Sequence, residues 1–141
     1  MTGDDPYNLK RFVEAQEGTY ARALTEIRAG EKRSHWMWFV FPQIAGLGRS
    51  GMAQRFAIRD LAEAKAYLSH PLLGRRLVEA ARTLTALDTE DPAEVLGSVD
   101  AMKLHSSMTL FAQAAPDEPV FREVLDHYFG GTLDEATVSR L

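Results

Sequence analysis

Apolar residues recur along this 141-residue chain at intervals of three and four, the spacing that gathers them on one face of a helix. Leu9, Phe12, Val13 and Gln16 keep that spacing after Asn8, a candidate cap. Tyr20, Ala23, Leu24 and Ile27 keep it after Thr19, with Gly18 between the two segments and Gly30 suited to the second one's end. Asp60 and Glu63 have the form of a capping box ahead of Leu61, Ala64 and Leu68. Pro71 suits the first position of a further helix, whose inner stripe is Leu73, Leu77, Ala80, Ala81, Leu84 and Leu87. Asp91-Pro92-Ala93-Glu94 opens a short helix that Gly97 ends, and Ser98 can cap the next, Val99 to Gln113, with Leu104, Met108 and Phe111 inward. A last long helix starts near Pro119, sets Phe121, Val124, Leu125 and Tyr128 on one face and stops at Gly130-Gly131. Asp134 can cap a final turn holding Val138.

The run Trp36-Met-Trp-Phe-Val-Phe41, closed by Pro42, is apolar at every position, so periodicity does not separate strand from helix there. We read it as helical because no other segment offers a strand partner. Gly46-Leu-Gly48-Arg-Ser50-Gly51 is loop-like and leads into Met52 and Phe56 at helical spacing. No alternating apolar/polar run, internal repeat or low-complexity linker occurs. The pattern predicts an all-α, compact single-domain bundle of about seven or eight mostly short helices.

Composition agrees with a packed core: 45% hydrophobic and 26% charged residues exclude a disordered chain. With no cysteine, disulfides, thiolate nucleophiles and cysteine metal sites are excluded. The net charge is -4, and residues 112–141 carry the excess acid, six acidic against two basic side chains. Lys32, Arg33 and His35 form a small basic cluster, too short to follow a nucleic acid, so no nucleic-acid partner is expected. The acidic, proline-containing stretch Met1 to Tyr7 is unlike a signal peptide, and Trp36–Phe41 is far short of the ~20 apolar residues of a membrane span. A cytoplasmic protein without a membrane partner is expected.

Two stretches depart from plain amphipathic patterning. The first, His35 to Gln43, holds both tryptophans, two positions apart and so splayed by about 200° on a helix. One is expected to pack and the other to line a cleft. The run serves either as a buried aromatic knot or as a stacking wall for a planar ligand, with His35 and Gln43 as polar handles. The second stretch is Asp100 to Phe111. With Asp100 at zero and about 100° per residue, Lys103 falls near -60°, Ser107 near -20° and Phe111 near +20°. Asp100, Lys103 and Ser107 therefore share an apolar face with Leu104 and Leu110, while His105 faces elsewhere. Polar groups on such a face must pair or line a cavity. Asp100 and Lys103 form an ion pair with Ser107 bonded to a carbonyl, or Lys103 attracts an anion while Ser107 donates to it.

Catalytic templates do not fit. The four histidines, His35, His70, His105 and His127, lack metal-ligand spacing, so no metal site is expected. Gly46-x-Gly48 lacks the third glycine and the preceding strand of a dinucleotide fingerprint, and no P-loop is present. Ser–Lys nucleophilic chemistry needs a neutral Lys103, which Asp100 opposes.

In fixed order, His35-Trp-Met-Trp-Phe-Val-Phe-Pro-Gln43, Gly46-Leu-Gly48, Ala57-Ile58, Ala66-Tyr-Leu-x-His-Pro71-x-Leu-Gly74-x-Arg76-Leu and Lys103-Leu-x-Ser-Ser-Met-Thr-Leu-Phe111 resemble the family called domain of unknown function 1810. The likeness runs from about Leu9 to Leu141. It implies an all-helical single domain and no established reaction, cofactor or catalytic residue. Some members carry the label "calpastatin"; an inhibitor of that kind is a long disordered chain, whereas this composition demands a core.

Two functional classes follow. In the first, a pocket between the His35–Gln43 segment and the Asp100–Phe111 helix takes a small, planar, anionic, nucleotide-like ligand, with His35, Trp36, Trp38, Gln43, Arg49, Asp100, Lys103 and Ser107 as candidate contacts. In the second, an exposed aromatic patch docks a protein partner or a second copy without catalysis. Convergence of His35, Gln43, Arg49 and Lys103 in a cleft favours the first, and a flat apolar patch the second.

Overall fold

Ten helices follow one another in residues 4–141, the part of the chain that the computed structural model describes; residues 1–3, where the stretch read for targeting signals begins, lie outside it. They are α1 (Lys10–Gln16), α2 (Tyr20–Arg28), α3 (Met37–Val40), α4 (Gly51–Arg55), α5 (Leu61–Ser69), α6 (Leu73–Thr85), α7 (Pro92–Leu96), α8 (Ser98–Ala114), α9 (Pro119–Phe129) and α10 (Glu135–Val138). The protein is all-α, with no strand among the described residues. The helix count exceeds the expected seven or eight because α3, α4 and α10 are separate pieces of four or five residues, about one turn each. So short a piece shows no period of its own. The aromatic run is helical, as read, and one isolated parallel bridge, Ile44 to Ile58, ties the loop after it to the segment before α5.

α8 is the axis of the bundle. From Ser106 to Ala112 every residue is buried, so a helix with polar residues throughout its length has no solvent face there. α5, α7, α9 and α10 pack around it, and α6 packs against α2, α5 and α9. α6 presents the predicted stripe, with Leu73, Leu77, Ala80, Ala81 and Leu84 buried; Leu87, expected in the same stripe, lies past the helix end and is partly buried. Each fully buried leucine contributes roughly 1.5–3 kcal/mol relative to exposure. α6 comes close to α5 at Gly74, where an added Cβ would lie 2.0 Å from the Leu68 carbonyl oxygen. Only glycine fits that approach.

Several caps are where local chemistry put them. Asp60 accepts from the Glu63 N–H at 2.9 Å, Asp91 from Ala93 at 3.0 Å and Asp134 from Thr137 at 3.2 Å. Three others are not. Asn8 takes a left-handed φ of 53° instead of capping, and Asp5 accepts from the Leu9 and Lys10 N–H groups at 2.7 and 3.0 Å. Donation from Lys10 holds the Asp5 carboxyl below its usual range. Pro71 precedes α6 without starting it; His70 Nδ1 accepts from Leu72 and Leu73 at 3.1 and 3.3 Å. Ser98 lies inside the first turn of α8, whose cap position is Gly97 at φ 85°.

Candidate functional site

The segment leading into α3 is fixed by a buried carboxylate. Glu26, on α2 and 8% exposed, accepts from the Arg33 N–H (2.8 Å), the Ser34 N–H (3.0 Å), the Ser34 hydroxyl (2.6 Å) and the Trp36 indole N–H (2.8 Å). Burial alone would raise its pKa; the donation from Ser34, Arg33 and Trp36 outweighs that and holds it at about 2. Glu26 thereby sets the entry into the aromatic run. Trp36 is fully buried, and Trp38, two positions on, is half-buried on the other side.

Trp38 forms part of a cleft of about 460 Å³ between the segment 38–53, α8 and the start of α10. Gln43, Arg49 and Lys103 line it too, so four of the eight candidate contacts meet there. The stripe of α8 that faces the cleft is Val99, Met102, Lys103 and Ser106, joined by His105; Asp134 and Ala136 close the far side. Lys103 Nζ stands 4.6 Å above the Trp38 ring and 3.5 Å from Asp100 Oδ1.

The other four candidates lie outside the lining. His35 is exposed. Trp36 is packed under Lys32, with its nitrogen given to Glu26. Asp100 sits behind Lys103, paired with Lys32. Ser107 is fully buried, and its Oγ has no hydrogen-bond partner among the described residues. The expectation for Ser107 erred because an inward face on α8 meets the core, while the cleft opens a third of a turn away; Ser106 and His105 take its place. The ring of His105, read as facing elsewhere, stacks on Phe129 at 4.3 Å with Nε2 2.9 Å from the Thr132 carbonyl oxygen.

Lys32 is the residue the sequence reading left out, seen there only as part of a basic cluster. Its Nζ is 2.8 Å from Asp100 Oδ2, its side chain is 9% exposed, and its N–H donates to the Val95 carbonyl at 2.8 Å. Asp134 does more than cap α10. Its Oδ2 also accepts from the hydroxyls of Ser106 (3.0 Å) and Thr137 (2.6 Å), which docks α10 on α8 and forms a wall of the cleft.

A larger, more open groove of about 780 Å³ runs along α6, lined by Arg28, Arg75 and Arg82 among others, with no tryptophan in its lining. The combination of ring face, amide and cations belongs to the cleft at Trp38. No group of three or more His, Cys, Asp or Glu among the described residues is placed to hold a metal ion. No helix among them is long and apolar enough to cross a membrane.

The chain belongs to the family described as "Protein of unknown function (DUF1810)", matched over residues 6–141. This agrees with the resemblance drawn from its motifs. It is similar to a solved structure, that of the conserved hypothetical protein Rv1873 from Mycobacterium tuberculosis. The two are 49% identical, with a TM-score of 0.95 and 97% of this chain and 98% of that one covered. No curated protein matches.

Proposed function

We propose that this chain, as a member of the DUF1810 family, is a single-domain protein that binds a small planar anionic ligand of nucleotide-like character in the cleft between the aromatic segment and α8. The observation that carries the reading is the convergence of Trp38, Gln43, Arg49 and Lys103 on one cavity of about 460 Å³, within the ~300–1,000 Å³ usual for small-molecule sites. Trp38 supplies an aromatic face for a planar group. Lys103, now over that ring, swings toward the anion as the ligand enters. Arg49 offers a planar fork of donors, and the Gln43 amide reads a polar edge.

Binding is assigned here without a chemical step. Of the two serines in the lining, Ser50 caps α4 by accepting from the Ala53 N–H, and Ser106 is within hydrogen-bond distance of Asp134 and of the Met102 carbonyl, while Asp134 already serves Thr137. Lys103 pairs with Asp100 and makes no hydrogen bond to either serine among the described residues, so no serine–lysine pair is assembled.

The test is a thermal-shift series with nucleotides and aromatic acids. A ligand at 100 times its Kd adds about 2.7 kcal/mol, roughly 5–10 °C for a chain of this size. The shift should vanish in a folded Arg49→Ala/Lys103→Met double variant. A shift that survives the double variant, or no shift with any compound, removes the reading.

A second reading, docking of a protein partner or a second copy, draws on the rim of the same cleft. Val99 and Met102 are 66% and 72% exposed, unusual for residues of their type. Under it, Val99→Asp/Met102→Asp lowers the mass seen by light scattering in concentrated solution, and an unchanged mass removes this reading.

A further inference from the structure

The pairing behind the cleft specifies the charge of the ligand. Asp100 is a single carboxylate between two ammonium groups, Lys32 at 2.8 Å and Lys103 at 3.5 Å. Lys32 is held there on three counts: its side chain is nearly buried, its N–H donates to Val95, and its Nζ lies 5.2 Å over the Trp36 ring. Lys103 is the looser partner, more exposed and facing Trp38 across the cleft wall. Asp100 therefore neutralises Lys32, and the charge of Lys103 is left for the cleft.

Arg49, the other cation in the lining, has no carboxylate partner among the described residues. Lys103 and Arg49 bring three and five N–H donors respectively, and among the described residues no side-chain hydrogen bond from Arg49 is found, while Lys103 has only the long pairing to Asp100. The acids nearby are otherwise engaged. Asp134 accepts from Ser106 and Thr137, and Glu26 accepts from Ser34, Arg33 and Trp36. His105 is tied to Thr132, and Arg140 donates to the Ala136 and Gly46 carbonyls at the cleft's edge.

We infer that the cleft takes a dianionic tetrahedral oxyanion, of the phosphomonoester kind, in preference to a monoanion, and that Lys32, which does not touch the cleft, is the positioning residue that sets this preference. The inference rests on the binding reading above and narrows its ligand class. A phosphomonoester carries close to two charges at neutral pH and three acceptor oxygens, matching the unpaired Arg49 and the loosely paired Lys103. If Lys32 is removed, Asp100 passes to Lys103 as an ordinary pair one turn away. The ammonium is drawn back from the cleft, and the second charge of the ligand loses its counterpart.

Phenyl phosphate and benzenesulfonate test this directly, since they share a ring and a tetrahedral head and differ in charge. In the intact protein, the change in tryptophan fluorescence on titration should show phenyl phosphate binding about tenfold tighter, the size expected for one extra charge several ångströms from its partner in a half-screened site. Lys32→Met should bring the two affinities to within about twofold, and Lys32→Arg should keep the preference. A purely structural Lys32 would lower both affinities together. If both probes bind in an Arg49- and Lys103-dependent way with a ratio near one, the inference is overturned and the binding reading stands; if neither binds, both are overturned. Should Lys32→Met not fold, the ratio in the intact protein and in Lys32→Arg decides.

Discussion

Glu26 allows a sharp test of how the candidate site is assembled. Its carboxylate is almost wholly removed from water and receives four donors. Its pKa falls from 4.5, ordinary for a glutamate, to about 2. At ~1.4 kcal/mol per tenfold change in proton affinity, that difference corresponds to about 3 kcal/mol of stability held by the charged form. The sign follows from linkage. A carboxyl with a lower pKa in the folded state contributes fully above its unfolded value and loses that contribution as pH falls through the folded one. The window here is pH 4.5 down to about 2.

Glu26→Gln keeps the shape and removes the charge. It leaves one oxygen for four donors and turns an NH2 group toward at least one of them, so Trp36, Ser34 and Arg33 compete for a weaker acceptor. At pH 7 the variant should lose about 3 kcal/mol, or roughly 10 °C in Tm for a chain of this length. Urea unfolding followed by tryptophan emission at pH 7, 5, 4, 3 and 2.5 should show the gap between wild type and variant narrowing steadily below pH 4.5. The reasoning is refuted if the variant matches wild type within about 0.5 kcal/mol at pH 7. It is refuted equally if the gap is the same at pH 2.5 as at pH 7.

Three further outcomes are expected. Gly74→Ala forces α5 and α6 apart, because the new methyl meets the Leu68 carbonyl oxygen at 2.0 Å; a loss of about 3 kcal/mol, read by chemical denaturation, is expected at a backbone contact that cannot rotate away. Arg11 donates to the carbonyls of Tyr7, Asn8, Arg55 and Ala57 and to Glu63, a fan that lysine cannot reproduce. Arg11→Lys should therefore cost about 2 kcal/mol, and an unchanged denaturation midpoint would show that the fan holds little. Acrylamide should quench Trp38 in Trp36→Phe several-fold more than Trp36 in Trp38→Phe, since Trp36 is fully buried and Trp38 borders the cleft; equal quenching contradicts the placement of the two rings.

The features that sequence made legible are those settled within a few residues. Asp60, Asp91 and Asp134 cap the helices they precede because their acceptors reach N–H groups two or three residues on. The α6 stripe was equally readable, since 3.6-residue periodicity and burial coincide on a helix with one wet side. α8 defeats that argument. Leu110 and Thr109 are as buried as Met108, so the pattern has no outside from which to infer an inside. Angles about its axis were correct, yet they do not say whether a neighbouring helix or a cleft covers a given angle. Ser107 was thus assigned to the pocket and Ser106 left out. Caps that failed did so where a second acceptor a few residues away reached the same N–H groups first: Asp5 takes those expected to go to Asn8, and the His70 ring accepts at the start of α6, just before Pro71.

Asp100 shows why a non-local partner changes meaning as well as position. Three residues from Lys103 on one helix, it reads as that lysine's own counter-ion, which would make the pair electrically silent. The fold instead brings up Lys32, already anchored by the Val95 carbonyl and the face of Trp36, and the pre-fixed cation takes the shorter bond, 2.8 Å against 3.5 Å. A side chain whose rotamers are restricted by burial loses less entropy on pairing than one at the edge of a cleft. The carboxylate makes its shorter bond with the more buried lysine, and the more exposed one stands over Trp38. Placing a cation beside Trp38 depends on residues 32, 36, 95 and 100 meeting in space, although it is the i,i+3 pair that the helix spells out.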